Sequence, residues 1–338
     1  MIAKYIQKKR NPARYHGNKK KPPFFEGWYY KMVSRNESKS VAIIPGIFQH
    51  KDLSKCTAFI QVVNGVGSES YYIEYPIDTF ISKGHNFNLE LAGNQFTNNT
   101  IELDIKRDKL RLEGEISFHH LNPWPITPLS PGIMGWYSWV PFMECFHGVI
   151  SLDHSINGQL NLNGELYDFT GGKGYIEKDW GQAFPEAWVW QQSNHFPEDG
   201  ISLTASIAII PWIGKAFPGF LIGFLLDGRL YRLATYTGAK TKELELSDDK
   251  IRWIVEDKHH IMEMYTKKGS TTSLRAPTPK GMTRQIAESI DSQVEVRLYQ
   301  KIKTGKTMVY QGIGKNGGLE VEGNIDRLLE MIQKDIRN

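Results

Sequence analysis

The chain has 338 residues, 40% hydrophobic and 12% aromatic, with 31 Gly and 16 Pro, enough apolar mass for two ordinary domains and a composition that favours short strands and tight turns over helix bundles. Two cysteines, Cys56 and Cys145, exclude a disulfide framework and read as reduced thiols; with no apolar run of about 18 residues and no secretory signal core, a cytoplasmic protein is expected. Eight of the 41 basic residues (Lys4, Lys8, Lys9, Arg10, Arg14, Lys19, Lys20, Lys21) fall within residues 1–23, where no acid occurs, ahead of a mildly acidic body. Such an arm suits an anionic membrane surface contacted through residues 1–21, or is simply solvated; without a basic stripe further on it does not suit nucleic acid.

After this arm (1–23), FFEGWYYKMV (24–33) sets one carboxylate, Glu26, among five aromatic rings. Short alternating or wholly apolar segments follow: SVAIIPGIF, CTAFIQVVN, SYYIEYPI, FNLELAG, IELDIKR and KLRLEGEISF, bounded by turns such as NGVGS. They predict a meander of antiparallel strands over 24–121. Residues 122–174 open with NPWPITPLSPGIMGWYSWVP, too rich in proline for a strand run, and read as an aromatic linker between modules or a lid.

From 175 to 323 the order of events repeats. Glu186, Trp188 and Trp190 stand at the spacing of Glu26, Trp28 and Tyr30; AIIPWI (208–213) echoes AIIPGI (42–47); and the turn Asp227-Gly228 answers Asn64-Gly65. The expected fold is all-β, two tandem lipocalin-like antiparallel β-barrels from an internal duplication, because closing each sheet removes exposed edges. The segment 324–338 predicts a short C-terminal helix, with Leu328, Leu329 and Ile332 as its apolar stripe and Asn324 as its cap.

Several side chains are candidates for chemistry. Glu26 and Glu186 each share a strand face with a tryptophan two positions on, Trp28 and Trp188; either donates a proton, or Glu26 pairs with a cation and pins the first strand. In YIEKDWG, Glu177 and Asp179 share one face of an extended segment, so they share a proton or join an ion-pair network with Lys178 and Arg275. His147, with Glu144 three positions earlier, is a candidate base or a core histidine. The vicinal pairs His119-His120 and His259-His260 point to opposite strand faces and make poor chelates, so no metal is expected. No G-x-S-x-G, P-loop, Rossmann glycine set or H-E-x-x-H occurs.

FFEGWYYK (24–31), YIEKDWGQAFPEAWVWQQSNHF (175–196) and LRAPT (274–278) resemble, in order, the marker segments of the tocopherol cyclase family. Tyr175, Glu177, Lys178, Trp180, Gly181, Phe184, Pro185, Trp188, Trp190, Gln192, Asn194 and Phe196 match its central marker, and Asp179 stands where plant-type members have Asn. The resemblance implies a two-barrel relative of lipocalins, without a redox cofactor, that closes a ring on a prenylated aromatic or isoprenoid lipid by protonating an alkene and quenching the cation with an internal hydroxyl. It implies a proton donor or acceptor among Glu177, Asp179, Glu26 and His147. It also implies a substrate cavity lined by Trp28, Tyr30, Trp180, Trp188, Trp190, Glu186, Gln192, Asn194 and Arg275. The alternatives are a lipocalin-like binder without chemistry and an isoprenoid hydratase.

Overall fold

The computed structural model describes residues 10–83, 87–107 and 109–337. The chain divides into two compact units, the first running to Phe184 and including Thr272–Ile286, the second comprising Pro185–Thr271 and the chain from Ala287 onward. Each is built on one antiparallel sheet.

The first unit holds β1 (Phe24–Val33), β2 (Ser40–Gln49), β3 (Thr57–Asn64), β4 (Glu69–Pro76), β5 (Phe80–Ser82), β6 (Asn88–Leu91), β7 (Asn94–Thr97), β8 (Thr100–Arg107), β9 (Leu110–His119), β10 (Cys145–Leu162), β11 (Glu165–Asp168) and β12 (Gly172–Gly181). Their order across the sheet is β4-β3-β2-β1-β12-β10-β9-β8-β7-β6-β5, with β11 paired to β10. The second unit holds β13 (Ala187–Ser193), β14 (Ser202–Trp212), β15 (Lys215–Leu226), β16 (Arg229–Ala234), β17 (Lys240–Leu246), β18 (Lys250–Glu256) and β19 (His260–Lys267). β20 (Thr272–Thr278) and the start of β21 (Gly281–Ile302) form a hairpin of the first unit, while the rest of β21 and β22 (Gly305–Gly323) belong to the second. The second sheet runs β16-β15-β14-β13-β22-β21-β19-β18-β17.

Both sheets are threaded alike: a four-strand meander, a 3-10 turn (Ile77–Thr79 and Thr235–Thr237), further strands, and a last strand returning to pair with the first. They are not the closed barrels expected from the sequence. Among the described residues each ladder ends at two edge strands that do not pair with one another, β4 and β5 in one sheet, β16 and β17 in the other. The β20 hairpin lies against β3 and β4, where the Gln61 side chain bonds both the N–H and the C=O of Arg275 (2.8 and 2.9 Å) and Ser70 donates to Ser273 O.

The expected module boundary also shifts. Residues 145–181 supply β10, β11 and β12 of the first sheet, and β12 is the strand that β1 needs for its free edge. The proline-rich stretch after 121 belongs to the first unit, contains a 3-10 turn at Gly135–Trp139, and buries Trp124, Ile133 and Met134.

Of the two hairpin signals, Asn64-Gly65 gives way to a four-residue loop before Glu69 with Gly67 and Ser68 left-handed, whereas Asp227-Gly228 reads correctly. Asp227 and Gly228 take φ of +50° and +72°, the pair of left-handed residues that a two-residue hairpin demands between Leu226 and Arg229. The C-terminal helix α1 (Ile325–Arg337) starts where the Asn324 side chain accepts from Arg327 N at 3.2 Å, and it buries Leu328 and Ile332 in the second unit's core with Val189, Leu203, Trp253 and Met264.

Candidate functional site

β1 and β12 together divide the candidate residues between two faces of the first sheet. Side chains alternate along a strand and directly paired residues share a face. Glu26 pairs in register with Trp180 and Trp28 with Lys178, whereas Gly27 pairs with Asp179 and Tyr29 with Glu177. The E-G-W motif therefore sends its glutamate and tryptophan one way and presents its glycine the other.

On the first face the N-terminal residues fold back into the sheet. Lys178 Nζ, fully buried, makes an ion pair with the fully buried Glu26 and donates to Pro12 O (2.9 Å) and Arg14 O (2.5 Å), with His16 Nδ1 at 2.9 Å. It also sits 4.5 Å from the Trp28 ring centroid. His16 N donates to both Glu26 oxygens at 2.8 Å, and the His16 ring stacks on Trp180 at 4.4 Å. Burial alone would raise the Glu26 carboxyl; the Lys178 charge and the His16 bonds outweigh it and hold the group below its ordinary range. Trp28 donates its indole N–H to Ala13 O (2.7 Å) and stacks on Phe87, while Tyr30 stacks on Phe118 and donates to Thr97 O. Glu26 thus has the cationic partner considered from its sequence context, and Trp28, Tyr30 and Trp180 pack around the partners of that ion pair or in the core beside it.

The opposite face carries the acid–base cluster. His147 on β10 lies in register with Asp179 on β12, and its Nδ1 is 2.9 Å from Asp179 Oδ1. Its Nε2 is 3.5 Å from Glu177 Oε2, and that same oxygen accepts from Tyr175 Oη at 2.5 Å. Tyr175, Glu177 and Asp179 alternate along β12 and so present one row to the imidazole. Burial opposes the charged ring, yet the carboxylates of Asp179 and Glu177 and the bond to Asp179 push the His147 pKa up to about 9. The side chain retains 14% exposure. His147, Glu177 and Asp179 offer donor atoms all within 4.8 Å of one another. Nδ1 is hydrogen-bonded to Asp179, whereas the buried Nε2 makes no hydrogen bond among the described residues and has Glu177 Oε2 at ion-pair distance.

Beside the cluster lies an apolar patch formed by Phe25, Phe48, Phe59 and Met282, with Ile44, Tyr72, Cys145 and Phe184 packed around it. Cys145 joins the two regions: its thiol pKa is pushed well up, first by burial and then by Asp179 and Glu144. Met134, from the proline-rich segment, accepts from His147 N through sulfur at 3.1 Å. The Arg275 guanidinium lies 4.3 Å from the Tyr72 ring centroid.

The remaining candidates lie in the second unit. Trp188, Trp190, Gln192 and Asn194 alternate with the core-facing Ala187, Val189, Gln191 and Ser193 and are themselves buried. Trp188 Nε1 donates to Glu320 Oε2 (2.6 Å), and Asn194 Oδ1 lies 3.1 Å from His195 Nδ1. Glu186 is half-exposed and ion-paired with Arg327 of α1. Sequence reasoning named Glu177, Asp179 and His147 but gave His147 the wrong carboxylate: residues three apart on a strand face opposite ways, and the partner is Asp179 across the ladder. Tyr175 entered only as a motif match, and residues 12–16 were read only as part of a charged arm.

An open antiparallel sheet bearing buried acid–base groups beside an aromatic patch defines the class of this protein. Residues 123–323 match the family model described as tocopherol cyclase-like, and the chain belongs to that family. It is 26% identical over 208 residues to the probable chloroplastic tocopherol cyclase of Oryza sativa subsp. japonica, covering 59% of this chain and 44% of that one. It is 28% identical over 199 residues to the chloroplastic tocopherol cyclase of Zea mays, covering 56% and 41%. The alignments thus span less than half the length of these relatives. Two solved structures share the fold: a candidate AttH from Nitrosomonas europaea (TM-score 0.54, 12% identity, 92% and 94% of the two chains) and CghA with Sch210972 (TM-score 0.55, 11% identity, 89% of each). No helix among the described residues is long and apolar enough to cross a membrane.

Proposed function

We propose that this protein is a cyclase of the tocopherol cyclase type, acting without a redox cofactor on a prenylated aromatic or isoprenoid lipid. The observation that carries the proposal is the imidazole of His147 held between Asp179 and Glu177 at the border of an apolar aromatic patch. With the ring charged and both carboxylates ionised, the cluster holds one mobile proton. Its transfer from Nε2 to Glu177 makes a carboxylic acid, which protonates the alkene carbon that leaves the charge on its tertiary neighbour. The internal hydroxyl then bonds to that carbon, and its proton returns to the cluster, so the reaction adds O–H across C=C with no net proton consumed. Ionised Asp179 and the neighbouring aromatic faces stabilise the cation, each face by about 0.5–2 kcal/mol.

The test is turnover of a prenylated hydroquinone in D2O. The wild type is expected to release a chromanol with one deuterium on the former alkene carbon; Glu177→Gln and His147→Gln are expected to lose at least 100-fold in kcat. Full activity in Glu177→Gln, Asp179→Asn and the double variant would overturn the proposal. The common threading of the two sheets supports our reading that they descend from one duplicated lipocalin-like module. For collection of an apolar substrate, we propose that the basic N-terminal stretch contacts an anionic membrane surface, with Lys19, Lys20 and Lys21 exposed in their turn.

A further inference from the structure

One transverse row of the first sheet crosses the site face. It runs, strand by strand in register, from His147 through Asp179, Gly27 and Gly46 to Phe59. The two glycines in this row are not alike. A Cβ on Gly46 would stand 2.3 Å from Phe59 Cζ and 2.8 Å from the Glu26 carbonyl, so Gly46 is bare because the Phe59 ring lies over it. A Cβ on Gly27 would meet nothing closer than Ile44 Cγ2 at 3.7 Å, with Phe59 Cζ and Pro45 O at 3.9 Å, all ordinary contact distances. Fold packing therefore does not require glycine at 27, although a glycine inside a strand weakens it. Gly27 is also the single position of β1 that is not buried, between Phe25 and Tyr29 on the same face. An uncovered stretch of backbone in an otherwise sealed strand marks a place where a ligand approaches the main chain.

We infer that Gly27 is a specificity-determining residue, the floor of a slot that seats the substrate's planar aromatic head between the Phe59 ring and the Asp179 carboxylate. This rests on the cyclase reading of the same face. Seated there, a ring hydroxyl points along the row toward Asp179 and His147, and the absent side chain sets how bulky a substituted head group is admitted. A methyl on residue 27 narrows the slot without touching the acid–base groups.

The experiment measures equilibrium binding of a prenylated trimethylhydroquinone, by quenching of tryptophan fluorescence, to Glu177→Gln protein with and without Gly27→Ala. The expected result is binding weakened at least 10-fold by Gly27→Ala, a melting temperature within about 2 °C of the parent, and recovered binding for the same compound lacking its ring methyls. Unchanged binding of the trimethyl compound overturns the inference, as does equal loss for both compounds. Unfolding of Gly27→Ala overturns it too, because the space above residue 27 would then not be free. Binding that follows the expected pattern in a protein that never turns the compound over would leave the slot standing and remove the cyclase reading instead.

Discussion

Replacing Glu26 by alanine tests the division of the two faces. Glu26 and Lys178 are both fully buried, and Glu26→Ala takes from Lys178 the carboxylate with which it is ion-paired. Breaking a buried pair by removing one member costs about 3–5 kcal/mol, because the remaining charge stays desolvated. The same change strips two acceptor oxygens from His16 N. For a unit of this size, 1 kcal/mol moves the melting temperature by about 2–4 °C, so a fall of about 6–20 °C is expected. Urea unfolding followed by tryptophan fluorescence reads the change through Trp28 and Trp180, which flank the pair. Glu26 has its carboxyl held low when folded, so its contribution is fully present above the ordinary carboxylate range and is lost as pH falls through the folded value. The loss caused by Glu26→Ala should accordingly shrink in acid. Turnover assayed well below the lowered melting point should persist, in contrast with Glu177→Gln, which should lose turnover while giving up only its share of the His147 stabilisation. A stability loss under 1 kcal/mol, or a dead enzyme that melts like the wild type, would refute the assignment of Glu26 to structure.

Two further predictions follow from the same geometry. His147, raised from 6.5 to about 9, stabilises the fold fully below pH 6.5 and loses that contribution as pH rises through about 9, up to about 3 kcal/mol at 1.36 kcal/mol per pH unit. Histidine NMR titration should find one ring still charged at pH 8, and His147→Gln should flatten the alkaline limb of the stability profile. For membrane contact, deletion to Pro22 is a poor probe, because it also removes three acceptors of Lys178 and the Trp28 partner Ala13 O. Reversal of Lys19, Lys20 and Lys21 to Glu should instead abolish sedimentation with anionic vesicles and leave the melting temperature within about 2 °C. Equal sedimentation of this variant and the wild type would dismiss the basic stretch as a docking element.

Period-2 alternation made much of the fold readable. It located the meanders, and the spacing of Glu177 and Asp179 was enough to put them on one face. It could not say which face held the chemistry. That depends on the pairing of β1 with β12 and on residues 12–16 filling the side where Glu26 and Trp28 point, both long-range facts. Alternation also cannot show whether the two edge strands of a sheet meet, which is why barrels were expected and open ladders found. The glycine of E-G-W went unweighed, because sequence alone does not separate a glycine that a neighbouring ring covers, as at Gly46, from one with ordinary contacts, as at Gly27.

The pairing of β1 with β12 also shapes how the protein is made. At about 5–20 residues per second, the ribosome needs about 7–30 s after finishing β1 to deliver the strand that completes it. Through that interval the newborn meander exposes a ten-residue hydrogen-bonding edge flanked by aromatic side chains, a template for pairing with another nascent chain. Yield in a cell should therefore depend on translation speed between codons 34 and 181 and on chaperone supply more than on the stability of the finished fold.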